Sequence, residues 1–289
     1  MRVLVTGAAG KLGSHVVAAL VGARHEVRAT DTRFRADLAV PLRPADLRDE
    51  HALYPLLDGC DALVHLGNHP NPFAGPSFQR LLAENTSMNA NAFTVALDVG
   101  VRHIVFASTI QVMLASDGTR ANPARMPYLP LDAHAPADPG LNPYALSKHF
   151  GEELLRVAAR ERPELCATVL RYPMLVAEWF EQRLAQSGGR LSSDALHLGE
   201  ATAHLSFADG ARLIVKVLER PRAGYRQYFP AQTLRITNLG VRGIVERFYP
   251  HVRRHVPLEH MTSLIDLEDL ARDLDFAPST HHEVELLEP

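Results

Sequence analysis

The sequence predicts an α/β fold, with a doubly wound parallel sheet followed by a small C-terminal α/β lobe. Three observations indicate this class. A short apolar strand runs into a glycine-rich turn and a helix at residues 3–20. Further apolar strands alternate with helical patterns as far as residue 173, and beyond it short helical and loop signals replace the alternation. Alternating strands and helices are typical of a parallel sheet with helices on both faces.

The first strand and helix have the pattern of a dinucleotide-binding unit. Residues 3–5 are apolar, and Gly7, Gly10 and Gly13 follow at a spacing of three. Gly7 permits a tight turn, Gly10 lets the backbone approach a pyrophosphate, and Gly13 allows close packing of helix on strand. The pyrophosphate then lies at the helix N-terminus, where the helix dipole favours negative charge.

Asp31 ends the second predicted strand, at residues 26–30. Its carboxylate is placed to accept hydrogen bonds from an adenosine ribose and would repel a 2′-phosphate, so it favours NAD over NADP. Arg33 lies two residues later, so NADP is not excluded as the cofactor. The alternative is a glycine-rich turn that binds nothing, which the agreement between strand, helix and Asp31 disfavours.

Asp46 closes a short third strand. Its carboxylate can reach the adenine amine or cap a helix predicted at residues 50–57, and both roles stay open. The fourth strand, at residues 61–67, is apolar throughout, as parallel strands buried on both faces are. A loop at residues 68–76 leads to a helix at 78–99, in which Asn85 heads a run of small and polar residues.

Ser108 and Thr109 follow the fifth strand, residues 102–107, at its carboxyl end, where open α/β sheets bind ligands. Residues 115–143 lack periodicity, and we expect a lid or pocket wall there. The sixth strand stops at Pro173. Beyond it we expect four elements, namely helices at residues 209–218, 239–248 and 264–274 and a strand at residues 227–236.

Tyr144 and Lys148 are spaced i and i+4 in a helix predicted at residues 144–160, so they share one helix face. A nearby ammonium stabilises phenolate and lowers the pKa of a tyrosine from about 10, which makes it a usable acid or base. The alternative is a surface pair. Lysine occurs only at positions 11, 148 and 216, so a chance pairing with one of the seven tyrosines is improbable.

Together these residues resemble the extended short-chain dehydrogenase/reductase family, in its NAD-dependent epimerase/dehydratase branch, which has a Rossmann fold. The resemblance implies that Tyr144 is the catalytic acid/base, that Lys148 holds the nicotinamide ribose, and that Thr109 or Ser108 orients a substrate hydroxyl. It also implies a homodimer that pairs the helices at residues 78–99 and 144–160. The cofactor-binding residues expected on this basis are Gly7, Gly10, Lys11, Leu12, Gly13, Asp31, Asp46, Leu47, Leu66, Gly67, Asn85, Tyr144, Lys148 and Pro173.

The chain departs from nucleotide-sugar enzymes of this family in two places. It reads Val112-Met113-Leu114 where many of them have Val-Tyr-Gly, and it has only a short interval between Pro173 and Leu205, where they carry a longer substrate-binding insertion. In this shortness the chain is similar to uronate dehydrogenases and related small-sugar oxidoreductases. We expect His69, Asn71, Thr109 and Arg171 to contact the substrate, although Arg171 is equally suited to pairing with an acid in the core.

The sequence therefore predicts an NAD-dependent oxidoreductase that removes hydride from a carbinol carbon of a small sugar-like or uronic-acid-like substrate. The first alternative is a nucleotide-sugar epimerase or dehydratase that retains NAD, and the second is a non-catalytic NAD-binding sensor or scaffold. We expect an NAD-binding domain at residues 1–173, completed by 204–236, and a substrate lobe formed by residues 174–203 and 237–289.

The composition of the chain argues against nucleic acid and anionic membranes as partners. The net charge of −3 provides no basic field for nucleic acid or an anionic membrane, and no apolar run approaches a membrane span. The start of the chain, directly on a strand, favours a cytoplasmic protein. The two cysteines have no metal-ligand spacing, and the histidine pairs lack a third ligand, so we expect no metal and place these histidines at the surface or in a pocket.

Overall fold

The computed structural model describes residues 1–70, 77–114 and 122–287. The strands, in chain order, are β1 (Arg2–Thr6), β2 (Glu26–Asp31), β3 (Leu42–Pro44), β4 (Ala62–His65), β5 (His103–Thr109), β6 (Cys166–Tyr172), β7 (Met174–Val176), β8 (Arg190–Leu191), β9 (Ala203–Ser206), β10 (Gly224–Tyr228), β11 (Gln232–Thr233), β12 (Arg235–Ile236) and β13 (Glu283–Leu286). The α-helices are α1 (Lys11–Gly22), α2 (Tyr54–Leu57), α3 (Phe78–Asp98), α4 (Pro143–Glu161), α5 (Glu178–Gln186), α6 (Phe207–Glu219), α7 (Gly240–Phe248) and α8 (Glu268–Leu274).

A seven-stranded sheet with the order β10-β6-β5-β4-β1-β2-β3 forms the centre of the fold. The strand β1 pairs in parallel with both β2 and β4, with Val3 opposite Val27 on one side and Ala62 on the other. The chain order reverses at β1, and open α/β sheets bind ligands at such a switch point. The predicted doubly wound parallel sheet is confirmed.

Contacts divide the chain into two compact units. Unit 1 comprises Met1–Ser108, Pro143–Leu170 and Gly210–Gln227, and unit 2 comprises Thr109–Asn142, Arg171–Asp209 and Tyr228–Pro289. Each unit has its own apolar core, which in unit 1 includes Phe93 and Phe106 and in unit 2 Phe180 and Tyr249. This partition assigns residues 109–142 to unit 2. The predicted bounds of the NAD-binding domain and the substrate lobe stay a prediction.

Residues 122–142 do not form an open loop. Leu129 donates its N–H to the Arg253 carbonyl at 2.9 Å, and Leu131 donates to the Leu264 carbonyl at 2.8 Å. The side chains of both leucines are fully buried in the core of unit 2. This part of the segment predicted as a lid or wall is therefore an extended stretch that completes a core.

Three predicted elements have different bounds from those expected. The helix at residues 50–57 is broken into a 3-10 turn, Glu50–Ala52, and the short α2, because Pro55 has no N–H to continue the helix. The strand at residues 227–236 is interrupted after β10 near Pro230, which cannot donate to a ladder.

The last predicted helix, at residues 264–274, begins only at Glu268. Residues on its N-terminal side are held in an extended conformation, because Asp266 donates its N–H to the Leu131 carbonyl at 2.9 Å. The Asp266 carboxylate also accepts the N–H of Glu268, the first residue of the helix, at 2.8 Å.

In the described part of the chain, no helix is both long and apolar enough to cross a bilayer. Over the same residues, no three His, Cys, Asp or Glu side chains are grouped as metal ligands. Both cysteines are free thiols, with Cys60 buried and Cys166 half-buried.

Candidate dinucleotide and catalytic site

The glycine turn between β1 and α1 is closed too tightly for side chains. Gly7 has a φ of +67°, and a Cβ there would lie 2.8 Å from the Gly67 nitrogen at the end of β4. A Cβ on Gly13 would lie 2.1 Å from the Gly7 carbonyl oxygen. The helix N-terminus at Gly10 has no side-chain cap, so its first N–H groups are left for another acceptor. Lys11 is exposed and Leu12 half-buried in that first turn.

Asp31 is fixed against this turn. Its carboxylate accepts the Ala9 N–H at 3.1 Å and the Arg33 N–H at 3.0 Å. The Arg33 guanidinium lies 3.8 Å from the carboxylate, with its side chain 73% exposed against 8% for Asp31. Each carboxylate oxygen has two acceptor sites, so Asp31 retains capacity for the hydroxyls of a ribose.

Asp46 and Leu47 lie in unit 1 at the end of β3. Arg48 binds the Asp46 carboxylate at 2.6 Å and reaches Glu84 of α3 at 2.9 Å. The capping role considered for Asp46 is wrong, because Asp49 caps the following 3-10 turn by accepting the His51 N–H at 3.0 Å. Leu47 is buried, and its Cδ1 atom lies 2.5 Å from the position of a Cβ on Gly67.

Glu84 of α3 fixes the side chain of His69, which lies between β4 and α3. The His69 Nε2 atom lies 2.6 Å from the Glu84 carboxylate, which also accepts from Arg80 at 2.7 Å. These bonds, from Arg80 first and His69 second, lower the pKa of Glu84 to about 2. The His69 backbone is fixed as well, since Asn85 accepts its N–H at 2.8 Å. Asn71, also predicted to contact the substrate, lies outside the described residues.

A buried hydrogen-bonded chain connects the ends of β1 and β4. The Thr6 hydroxyl accepts the N–H groups of Leu66 and Gly67, both at 3.2 Å, and lies 2.8 Å from His65 Nδ1. His65 Nε2 lies 3.0 Å from the Asn89 side-chain oxygen, so this nitrogen donates and Nδ1 accepts from Thr6. Burial, with Lys148 nearby, lowers the pKa of His65 to about 3, and the imidazole is neutral.

Asn85 and Asn89 of α3 continue this chain into α4. Asn89 donates to the Ser147 carbonyl at 3.0 Å, and Asn85 donates to the Ser147 hydroxyl at 3.2 Å. Ser147 in turn donates to the Tyr144 carbonyl at 2.8 Å. The predicted residue Asn85 therefore fixes the first turn of α4, in which Tyr144 lies.

Lys148 is buried one turn after Tyr144, with 3% of the residue exposed. Its ammonium donates to the Ala107 carbonyl at 2.6 Å and to the Asn68 side-chain oxygen at 2.7 Å. The nitrogen lies 5.8 Å from the centroid of the Tyr144 ring. Burial lowers the pKa of Lys148 to about 7, opposed by the charge of Glu152.

Ser108 donates its hydroxyl to the buried Glu152 carboxylate at 2.5 Å. Its single hydroxyl hydrogen is thereby occupied inside unit 1. Thr109, the next residue, belongs to unit 2, where its hydroxyl accepts the Gln111 N–H at 3.3 Å. Ser108 and Thr109 were both predicted to orient the substrate. The hydroxyl hydrogen of Ser108 is committed to a carboxylate, whereas the bond given for Thr109 uses its hydroxyl only as an acceptor.

The other predicted residues of unit 2 are Arg171 and Pro173. Arg171 is 2% exposed and donates from Nη1 to the carbonyls of Ala133 and Ala135, at 3.0 and 3.1 Å. Pro173 is buried between β6 and β7. Arg171 thus holds the extended segment at residues 133–135 in place.

Comparison with known proteins identifies the family of this chain. The family model "NAD dependent epimerase/dehydratase family" matches residues 3–240. The chain belongs to the NAD dependent epimerase/dehydratase family. The predicted family is therefore confirmed, and NAD as the cofactor is confirmed at the level of that family.

Two curated relatives and one solved structure illustrate the similarity. The chain is 33% identical over 156 residues to uronate dehydrogenase of Pseudomonas putida, covering 53% of each protein. It is 30% identical over 214 residues to mouse UDP-glucose 4-epimerase, covering 67% of this chain and 57% of the relative. The structure of a mutated uronate dehydrogenase matches with a TM-score of 0.61 at 26% identity, covering 80% of this chain and 74% of that chain. The chain spans about half the length of the curated relatives it matches.

Two polar residues around Lys148 were absent from the predicted site of this family member. Glu152 follows Lys148 at the same i, i+4 interval that separates Lys148 from Tyr144, and this repeat was a usable signal. Asn68 gave no such signal, because it lies in a turn-forming stretch and reaches Lys148 only through the fold.

Proposed function

We propose that this protein is an NAD-dependent oxidoreductase that acts at a carbinol carbon of a small sugar or sugar acid. The observation that carries the proposal lies within unit 1. There the buried Lys148 ammonium lies beside the ring of Tyr144, in the same unit as a glycine turn that leaves no room for side chains. An ammonium near a phenol favours phenolate, which is a base.

The proposed cofactor contacts follow from the positions of the side chains. The uncapped N–H groups at the start of α1 would hold the pyrophosphate, and Asp31 would accept the adenosine ribose hydroxyls. Leu47 and Gly67, which pack together, would form part of the adenine wall. When bound, NAD supplies a nicotinamide that accepts hydride from the substrate carbon.

The acid–base chemistry is assigned to α4. Tyr144, as phenolate, would take the proton of the substrate hydroxyl while hydride leaves the carbon that bears this hydroxyl. Lys148 would stabilise the phenolate and bind the nicotinamide ribose. The Thr109 hydroxyl would orient the substrate, since Ser108 is already bonded to Glu152.

A small substrate is supported by the short interval between Pro173 and Leu205 and by the similarity to a uronate dehydrogenase. The test is a screen that follows the absorbance of NADH over free aldoses, uronic acids and nucleotide sugars. We expect NADH to accumulate with a free sugar or sugar acid and not with nucleotide sugars.

A nucleotide-sugar epimerase is the second candidate, because the match to mouse UDP-glucose 4-epimerase covers two thirds of this chain. An epimerase oxidises and re-reduces its substrate without net release of NADH. Conversion of a UDP-sugar without accumulated NADH would therefore replace the dehydrogenase proposal with this one.

We also propose a homodimer formed through α3 and α4. The apolar side chains of Phe150, Leu154 and Val157 are exposed at helical spacing on α4, and Phe78 is exposed on α3. A second copy of the chain would bury them. Sedimentation should show a dimer that Leu154→Glu converts to a monomer, and a wild-type monomer at micromolar concentration would contradict the proposal.

A further inference from the structure

The ammonium of Lys148 is held by two oxygens and two aromatic rings. It has three N–H donors, of which one bonds to the Ala107 carbonyl and one to Asn68. The Phe106 ring centroid lies 4.7 Å from the nitrogen and the Tyr144 centroid 5.8 Å away. Asn68 is therefore a side chain through which the position of this ammonium can be set.

The orientation of the Asn68 amide is fixed by this bond. An ammonium can only donate, so the Asn68 atom at 2.7 Å is the side-chain oxygen. The amide nitrogen Nδ2 consequently faces elsewhere, and it is buried with no hydrogen-bond partner among the described residues. A buried donor without an acceptor costs free energy, so such groups in native proteins call for an acceptor or a function.

We propose that Asn68 is a positioning residue for Lys148, and that its Nδ2 group is held for an acceptor oxygen of the bound ligand. The side-chain oxygen anchors the ammonium, and the other end of the same amide binds the cofactor or the substrate. One residue thereby couples ligand binding to the position of the lysine. The relevance to catalysis, though not the anchoring itself, rests on the proposed function.

The charges around Lys148 make its protonation sensitive to this contact. Burial disfavours the ammonium and brings the pKa of Lys148 to about 7, and Glu152 on the same helix opposes that effect. The imidazole of His65 on the neighbouring strand is neutral, and the Tyr144 phenol lies on the preceding turn. Loss of the hydrogen bond from the Lys148 ammonium to Asn68 should therefore shift the pKa of Lys148 by about one unit or more.

The first experiment measures Lys148 in the protein without ligand. The chain has three lysines, so carbon-13 labelling of lysine gives three side-chain signals, assigned with Lys11→Arg and Lys216→Arg. Asn68→Asp places a carboxylate beside the ammonium and should raise the Lys148 midpoint by about one to three units. Asn68→Ala removes the oxygen and should lower it by about one unit.

A matched control is Gln79→Glu, which also converts an amide into a carboxylate but lies exposed on α3. It should leave the Lys148 midpoint unchanged. If Asn68→Asp and Asn68→Ala both titrate like the wild type, the anchoring is wrong, whatever reaction the protein catalyses. A shifted midpoint in a protein without dehydrogenase activity would support the anchoring and reject the proposed function.

The second experiment tests the Nδ2 donor. Asn68→Asp keeps an oxygen for the Lys148 ammonium but lacks the Nδ2 donor, so it should weaken NADH binding in a fluorescence titration if the acceptor is a cofactor oxygen. It should instead raise KM, with NADH binding unchanged, if the acceptor belongs to the substrate. In either case we expect a loss of about tenfold, as for a buried hydrogen bond of about 1.4 kcal/mol. If neither constant changes, the donor has no ligand and this part of the proposal is wrong.

Discussion

The two compact units use their buried polar side chains differently. In unit 1 a continuous chain of bonds runs from Thr6 through His65 and Asn89 to Ser147, and it ends on the helix that carries Tyr144. In unit 2 the buried polar groups fasten strands, helices and loops to one another, and neither residue of the Tyr144–Lys148 pair lies in that unit. Asp209, for example, accepts the N–H of Ser279 at 2.9 Å and its hydroxyl at 2.8 Å.

This difference separates residues that position reacting groups from residues that hold the fold together. Variants at the unit 1 site should lose activity or ligand binding with little loss of stability. Variants at the buried polar groups of unit 2 should lose stability first.

Removing the phenol of Tyr144 should have the largest effect. Tyr144→Phe should lower kcat by about 10²-fold or more, because general acid–base catalysis contributes at least that much, while Tm and NADH affinity change little. Steady-state rates and a thermal melt measure both. Tyr54→Phe removes an exposed hydroxyl that donates to Asp98 in the same unit and should keep full activity. An active Tyr144→Phe enzyme would place proton transfer elsewhere.

In unit 2, Arg171→Met should lower the free energy of unfolding by about 3 kcal/mol, because two buried carbonyls lose a charged donor. Urea titration followed by the fluorescence of the single tryptophan, Trp179 in unit 2, measures this. Arg235→Met removes an exposed ion pair with Glu283 and should cost at most about 1 kcal/mol. Equal costs at the two arginines would contradict the structural role of Arg171.

Acid should weaken unit 2 through its buried histidines. His204 Nε2 lies 2.9 Å from His282 Nδ1, and burial together with His282 lowers the pKa of His204 to about 4. An unfolded histidine titrates near pH 6.5, so between about pH 6.5 and 4 the unfolded state binds more protons. Stability is therefore full above pH 6.5 and falls, by up to about 3 kcal/mol, as the pH drops to 4.

Urea titrations at several pH values, read from Trp179, would show this loss. His204→Gln should flatten the pH dependence, whereas His281→Gln, which replaces an exposed histidine, should not. The same slope in His204→Gln and in the wild type would assign the acid sensitivity to other groups, with the buried His65 of unit 1 the next to test.

The smallest effect expected is on cofactor preference. Asp31→Asn removes the charge that opposes a 2′-phosphate, so the ratio of NADP to NAD dissociation constants should fall by about tenfold. Calorimetric titration with both cofactors measures the ratio. Asp37→Asn, in the exposed pair with Arg35, is the matched control. Tighter binding of NADP than NAD by the wild type would mean that Arg33 governs this end of the site.

Much of unit 1 could be predicted from the sequence because its signals are local. The glycine spacing, the apolar strands and the Tyr144–Lys148 interval each depend on neighbouring residues, and the structure places them on β1, α1, β4 and α4 as expected. The sequence patterns gave wrong bounds for two elements in which a single proline interrupts an otherwise regular stretch. Pro55 shortened a helix, and Pro230 interrupted a strand.

Contacts between distant segments were decided only by the tertiary structure. The pairing of Leu131 with residues 264–266, the bond from Asn68 to Lys148 and the burial of His204 with His282 join parts of the chain that share no local pattern. Four histidines were predicted at the surface or in a pocket, namely His65, His69, His281 and His282. Two of them, His65 and His282, are buried because their hydrogen-bond partners come from other elements. Local periodicity specifies which face of an element is apolar, whereas the partner that satisfies a buried polar group is set by how the elements pack.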